Sequence, residues 1–225
     1  MKIASAVTTS PRPNGVSYLQ ETLNSLHDAG FDPDVLNDPD FGGAWPALRK
    51  ALAWLLETTK ADGLAVFQDD VLAAKGLCGW LESNGWPIPV EQIGVMSLYT
   101  AGANTLTGGF GWYSSGDLPV FSPWGACGLL FPRHSAEKLV ANPPCKAMLQ
   151  GSDSHTYTHC RLNGLKFLMH TPSLLQHVGA VGSIGIGDNR GLTEERKARL
   201  FCEDVLQLAG FEDFAHDDGD ASLGD

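Results

Sequence analysis

Long apolar runs are absent from this sequence. Its longest apolar stretches, such as Cys127–Phe131, fall far short of the roughly 20 residues that cross a bilayer, so no membrane partner is expected. The N-terminus offers one Lys, then Ile3–Val7, then a polar turn, which is too short for the core of a secretion signal. Basic residues are scarce: 15 Lys and Arg stand against 26 Asp and Glu, a formal net charge of −11. That balance disfavours nucleic acid, which is held by displacing counterions from phosphates, although a local basic patch is still compatible with it. The five cysteines are widely and irregularly spaced and form no C-x-x-C. Neither a zinc ribbon nor a disulfide framework is indicated, and a reducing cytoplasm is the natural setting.

Several catalytic signatures are missing too. There is no G-x-x-x-x-G-K-[ST] and no G-x-S-x-G, which removes P-loop enzymes and the serine-elbow hydrolases. Gly185-Ile186-Gly187 comes too late in the chain to be the first turn of a dinucleotide site.

What is present is an alternation of strand and helix signals. Ile3–Val7 reads as a buried strand running into the polar loop Thr8–Gly15. Leu19, Leu23 and Leu26 follow at helical spacing and stop at Gly30. Asp34–Asn37 is a second strand, Asp38–Gly43 a loop, and Pro46 suits the first turn of a helix carrying Leu48, Leu52, Leu55 and Leu56. Leu64–Phe67 is a third strand that delivers Gln68-Asp69-Asp70 at its end. The β-α-β-α-β order predicts an α/β domain with a mostly parallel central sheet flanked by helices. Ligands of such sheets sit beyond the carboxyl ends of the strands, where both the Thr8 loop and the acid pair fall.

The second half is less regular. Strands are expected over Ile93–Leu98, Ala126–Phe131 and Leu165–His170, with helices over His134–Val140 and Ser154–Leu162. Ala101–Gly111 reads as a loop. Phe201, Val205 and Leu208 at helical spacing predict a final helix over Thr193–Ala209. Residues 1–210 read as one domain and 211–225 as an acidic, frayed tail.

Four sets of residues are candidates for chemistry. Adjacent carboxylates at Asp69 and Asp70 cannot both be buried and ionised without a counter-charge, which Mg or Mn would supply. The alternative is a solvated turn capping a helix after residue 72. His177, at the end of Pro172–Val178, is either structural or a third ligand that tilts preference toward Mn. Asp153 either caps the following helix or acts as a general base. His155 and His159 share a helix face at the spacing of a zinc pair, but residue 156 is Thr, so the H-E-x-x-H protease motif is not met.

Together these segments resemble the GT-A class of glycosyltransferases, which use nucleotide-sugar donors. Ile3–Arg12 with Leu19–Leu26 resembles that class's nucleotide-binding strand, loop and helix. Ala65-Val66-Phe67-Gln68-Asp69-Asp70-Val71 resembles its D-x-D-type metal motif, with Gln68 where the first Asp of the strict form would stand. Trp124–Phe131 resembles the strand on the acceptor side, and Gly151-Ser152-Asp153 the segment bearing the base of inverting members. Gln176-His177-Val178-Gly179 is similar to the ending of the N-acetylglucosaminyltransferase IV branch. The likeness spans about residues 1–190, in order, and a Golgi anchor before it is not expected.

The resemblance implies a GT-A, Rossmann-like domain, and the cysteine pattern with the missing signal core sets the expectation of a cytoplasmic setting, in a bacterial or viral source. It implies Mn2+ or Mg2+ and a nucleotide-sugar donor, a UDP-sugar first among them. Thr8, Thr9, Arg12, Asp38, Arg49 and Asp69 would lie at the donor, and Asp70 and His177 on the metal. Asp153 would be the base, Trp112 and Trp124 the acceptor-side rings, and Gly179–Gly187 a lid. The acceptor is a hydroxyl compound, a modified nucleic-acid base being a remote case, and the oligomeric state is not implied. A hydrolase or nucleotidyltransferase on the same site, or a silent sugar-nucleotide or glycan-binding module, are the competing readings.

Overall fold

A computed structural model describes residues 1–12, 15–38, 42–101, 110–114, 126–144, 151–179 and 197–208. Its elements run β1 (Ile3–Thr9), α1 (Leu19–Asp28), β2 (Asp34–Asn37), α2 (Ala44–Thr58), β3 (Gly63–Gln68), β4 (Val71–Ala73), α3 (Leu77–Asn84), β5 (Ile93–Ser97), β6 (Gly111–Ser114), β7 (Gly128–Pro132), α4 (Arg133–Ala141), α5 (Gly151–Leu162), β8 (Lys166–Thr171) and β9 (Leu175–His177). Seven strands form one sheet in the order β2-β1-β3-β7-β5-β8-β6. Five point the same way, while β7 and β6 run against them. The fold is therefore the expected α/β class, a mostly parallel sheet flanked by helices.

Side chains that alternate along the strands divide the core between the two faces. Val7, Phe67 and Leu130 pack with Leu26 of α1 and Leu77 and Leu81 of α3. Ala6, Val66 and Leu129 face the other way, onto Trp45, Leu48, Leu52 and Leu55 of α2 and Leu139 of α4. Both faces being covered explains why β3 is almost wholly apolar rather than alternating.

The β4–β9 ribbon lies outside the main sheet and positions the site. Val71 pairs with His177, Leu72 with Gln176 and Ala73 with Leu175, antiparallel. Helix α1 holds the other side of β4 through two hydroxyls. Thr22 Oγ1 takes the Val71 N–H and donates to the Val71 carbonyl, and Ser25 Oγ does the same for Ala73. A polar Thr22 inside the apolar face of α1 was the available signal for this clamp.

Two expectations are corrected here. Asp69 and Asp70 do not cap a helix after residue 72, because they turn directly into β4. The Thr193–Ala209 helix is not formed over residues 197–208. That stretch is irregular, with isolated bridges at Phe201 and Asp204 and one 3-10 turn at Val205–Gln207. Its backbone groups are instead satisfied by long-range bonds at Ser173 and Lys75 (Ser173 N to Leu200 O, 2.8 Å; Cys202 N to Ser173 O, 2.9 Å; Lys75 N to Glu203 O, 2.8 Å). Phe201 and Val205 still pack on the core, so the apolar pattern was sound and the element was not. The 211–225 tail lies outside the described residues. Among the described residues no helix is long and apolar enough to cross a membrane.

Candidate active site

Strands β1 and β3 end side by side, with Thr8 opposite Gln68. The turn after β3 therefore presents Asp69 and Asp70 beside the loop that follows Thr9. Arg12 folds back from that loop onto the acid pair. Its Nη2 lies 2.7 Å from Asp69 Oδ1 and its Nη1 3.0 Å from Asp69 Oδ2, a two-point grip, and Nη2 is also 3.2 Å from Asp70 Oδ2. Thr9 Oγ1 donates to Asp69 Oδ2, and Tyr18 lays its ring 4.9 Å from the guanidinium carbon. Burial alone would lower the Arg12 guanidinium, but the bonds and charges of Asp69 and Asp70 outweigh it and raise it.

His177 completes the cluster from β9. Its Nε2 is 3.2 Å from Asp70 Oδ2, across 107 residues of sequence. Burial pushes the Asp70 carboxyl up, yet the His177 hydrogen bond and charge, then Arg12, hold it below the usual carboxylate range. The ribbon is pinned here: Val178 N donates to the Asp70 carbonyl at 2.9 Å. Gly179 must be glycine for space, because a Cβ there would overlap the Asp70 carboxylate.

One acceptor is left over. Asp70 Oδ1 is buried and has no hydrogen-bond partner among the described residues. An ionised oxygen in that state costs about 1–3 kcal/mol or more unless a cation or donor reaches it. The Asp70–His177 spacing suits a cation. Two ligand atoms bound side by side to one ion, at about 2.0–2.2 Å each, lie about 3 Å apart. Asp69 does not join them, since Arg12 takes both its oxygens. Accordingly, among the described residues no three His, Cys, Asp or Glu side chains are gathered to hold one metal. The fit is to a cation with two protein ligands and the rest of its shell from elsewhere.

The remaining candidates are dispersed around this rim. Thr8 Oγ1 donates to the Phe67 carbonyl. Asp38 ends β2 beside Thr9, its N–H on the Thr9 carbonyl and its carboxylate on Gly42 N at 2.9 Å. Asp153 lies in the first turn of α5 and Oδ1 accepts from Ala126 N at 3.1 Å and from Ser152 Oγ. Because the neighbouring Cys127 carbonyl takes Gln68 N, Asp153 is anchored to the same end of the sheet as the acid pair.

Arg49 stands apart, exposed on α2 and donating to the Val140 carbonyl. Trp112 sits in the far edge strand with its ring 4.9 Å from that of His170, edge to face. Trp124 and residues 180–187 of the expected lid lie outside the described residues. The two histidines of α5 make separate contacts. His155 stacks on Trp45 at 4.3 Å with Nδ1 on the Gly151 carbonyl, while His159 bonds Ser135 and Asn163.

Sequence reasoning missed Gln176. Its Oε1 accepts from both Ala198 N and His177 N, and its Nε2 donates to the Ala198 carbonyl, tying the 197–208 segment to the ribbon.

No protein-family model matches the chain, and no curated protein matches it. Among solved structures it is similar to A197 from STIV, at 14% identity over 89% of this chain and 94% of that one, with a TM-score of 0.49. It is similar to a mutant Drosophila β1,4-galactosyltransferase 7 in complex with manganese, UDP-Gal and xylobiose (11% identity, 77% and 70% of the two chains, TM-score 0.49). A third is the mannosyltransferase PcManGT of Pyrobaculum calidifontis with GDP-Man and Mn2+ (14% identity, 77% and 55%, TM-score 0.45). Likenesses at these levels establish neither family nor activity.

Proposed function

We propose that this chain is a metal-dependent glycosyltransferase. It moves a sugar from a nucleoside-diphosphate donor, a UDP-sugar first among them, to an acceptor hydroxyl with inversion. The observation that carries the reading is the Asp70–His177 pair at the carboxyl end of β3, with one buried carboxylate oxygen still unsatisfied.

Asp70 and His177 would hold Mn2+ or Mg2+. Bound there, the ion supplies positive charge for the diphosphate that leaves. His177 would offer the ion its Nε2 lone pair, and Asp70 the carboxylate oxygens beside it. Thr8, Thr9 and Asp38 line the ends of β1 and β2, where donor nucleotide would lie. Asp153, held by Ala126 N and Ser152 Oγ, would take the acceptor proton as the acceptor oxygen bonds the anomeric carbon and the nucleoside diphosphate departs.

A thermal-shift screen of nucleotide-sugars with Mn2+ present tests this. The right donor should raise Tm as RT ln(1 + [L]/Kd), and that donor should then add a hexose or N-acetylhexosamine mass to an acceptor. Simple phosphate release with no mass gain would show a hydrolase instead.

A further inference from the structure

Two carboxylates this deeply enclosed, 5% and 7% exposed at Asp69 and Asp70, fold together only if something balances them. Here the balance is supplied by the chain itself. Arg12 is enclosed with them, its guanidinium bonded to three of the four carboxylate oxygens and covered by Tyr18. The fork is matched to Asp69, which it grips at both oxygens, and only touches Asp70.

We propose that Arg12 is the resident counter-cation of the acid pair and keeps Asp69 out of the metal shell. A divalent ion is then taken up together with a nucleoside diphosphate rather than before it. The inference rests on the transferase reading above and concerns how its site is charged.

The charge count leads there. Asp69 and Asp70 against Arg12 leave one net negative charge, with His177 neutral as any ligand must be. Adding a divalent ion alone turns this into one net positive charge in an enclosed site, with a guanidinium already against Asp70 Oδ2. It also leaves the ion with two protein ligands, where a hard cation takes six or more. A bridging diphosphate answers both problems. Its negative charges, two in a nucleotide-sugar and about three in a free nucleoside diphosphate, would restore the negative balance, and its oxygens would complete the shell. Removing Arg12 answers them differently: it frees Asp69 as a ligand and removes the repulsion.

The test is a titration of the full chain with Mn2+, followed by the loss of the free-Mn2+ paramagnetic signal, with and without UDP, and with GDP and CDP as further probes. For the wild type, weak uptake of Mn2+ alone should tighten about tenfold or more with the right nucleotide. In Arg12→Gln, Mn2+ alone should bind about tenfold or more tighter than in the wild type. Should Arg12→Gln fail to fold, Asp69→Asn and Asp70→Asn decide the matter. Titrated with Mn2+ alone, Asp69→Asn should stay within about threefold of the wild type, while Asp70→Asn loses about tenfold or more.

Equal wild-type affinity for Mn2+ with and without a bound nucleotide would overturn the proposal. So would an Arg12→Gln chain that binds Mn2+ no tighter, or an Asp69→Asn loss matching that of Asp70→Asn. If no nucleoside diphosphate binds in the presence of Mn2+, the transferase reading falls instead. The Arg12 result with Mn2+ alone then still decides whether Asp69 is held out of the shell.

Discussion

Two buried polar clusters lie at different places in this molecule, and they differ in whether their hydrogen bonding closes. Under α4 and α5, Asn163 Nδ2 donates to His159 Nδ1, His159 Nε2–H donates to Ser135 Oγ, and Ser135 donates to the Gly94 carbonyl at 2.6 Å. Every step has one donor and one acceptor, and no charge is involved. Burial, then the charges of Lys138 and His134, lower the His159 imidazole to about 4, so it stays neutral. At the rim of β1 and β3 the Arg12–Asp69–Asp70–His177 cluster joins a guanidinium to two carboxylates and stops one acceptor short, at Asp70 Oδ1. A closed neutral network stabilises a fold, whereas an open charged one is stabilised further by a ligand. Each holds a histidine, buried at His159 and half-buried at His177, so the presence of an enclosed imidazole alone separates nothing.

The comparison breaks most visibly at two glycines. In Gly94→Ala the new Cβ would overlap Cys160 Sγ and crowd Leu165, with strand and helix fixed on both sides. Its cost should be about 3 kcal/mol or more in denaturant melts, with Mn2+–nucleotide affinity unchanged in the fraction that folds. In Gly179→Ala the Cβ meets the Asp70 carboxylate instead. That variant should lose about tenfold or more in Mn2+–nucleotide affinity, with a Tm close to wild type. If Gly179→Ala binds normally, Asp70 is not held where the site needs it.

Asp70→Ala sharpens the same contrast. It removes the open acceptor together with the His177 partner, and should cost about a hundredfold in Mn2+-dependent nucleotide affinity, measured calorimetrically. Since Asp69 keeps its grip on Arg12, the fold should survive, as circular dichroism would show. Unchanged affinity with EDTA in the wild type would remove the metal altogether.

How much of this could be read beforehand depends on range. The β-α-β-α-β opening was legible because each element carries its own period and stop, as in Leu19–Leu26 or the all-apolar β3. So was the acid pair, set at a strand end by that order. Helix α3 entered only as the helix after residue 72 in the capping alternative, although Leu77 and Leu81 stand at helical spacing between Gly76 and Gly85. The β4–β9 ribbon left no trace, since strands of three residues show no period and their pairing spans 106 residues from Val71 to His177. Arg12 was expected at the donor by its place in the first loop. Its two-point grip on Asp69 joins residues 57 apart and is set by the register of β1 on β3, which no local pattern records.

Acid probes the neutral cluster through His159, with His170 as a second buried imidazole that belongs to neither cluster. His159 and His170 are both lowered from the ordinary 6.5 to about 4 by burial, opposed at His170 by the Pro172 carbonyl. Each is neutral in the fold while the unfolded chain takes up a proton below 6.5. Stability from this source is complete above pH 6.5 and falls as pH drops toward 4, where the folded form also protonates. Between about pH 6 and 4.5 the unfolding equilibrium should grow about tenfold per pH unit for each histidine. Replacing His159 by Gln should remove one of the two slopes, and an unchanged pH profile would deny its neutrality.

Ser135→Ala is the mildest probe, and it tests whether the closed network is energetically closed. Ser135 is fully buried, so no water replaces its hydroxyl. Its loss leaves the His159 Nε2–H and the Gly94 carbonyl without that partner, while Ala fits the same helix position with better propensity. The unsatisfied pair costs about 1–3 kcal/mol, against a few tenths gained by the helix, so a net loss of about 1 kcal/mol or more is expected in urea at pH 7.5. Nucleotide affinity should not move, because nothing in this network touches Asp70 or His177. A stability change within about 0.3 kcal/mol, too small for an orphaned donor, would mean that His159 finds another acceptor. A change in nucleotide affinity would mean that the two clusters are coupled through the β5–β7–β3 part of the sheet rather than independent.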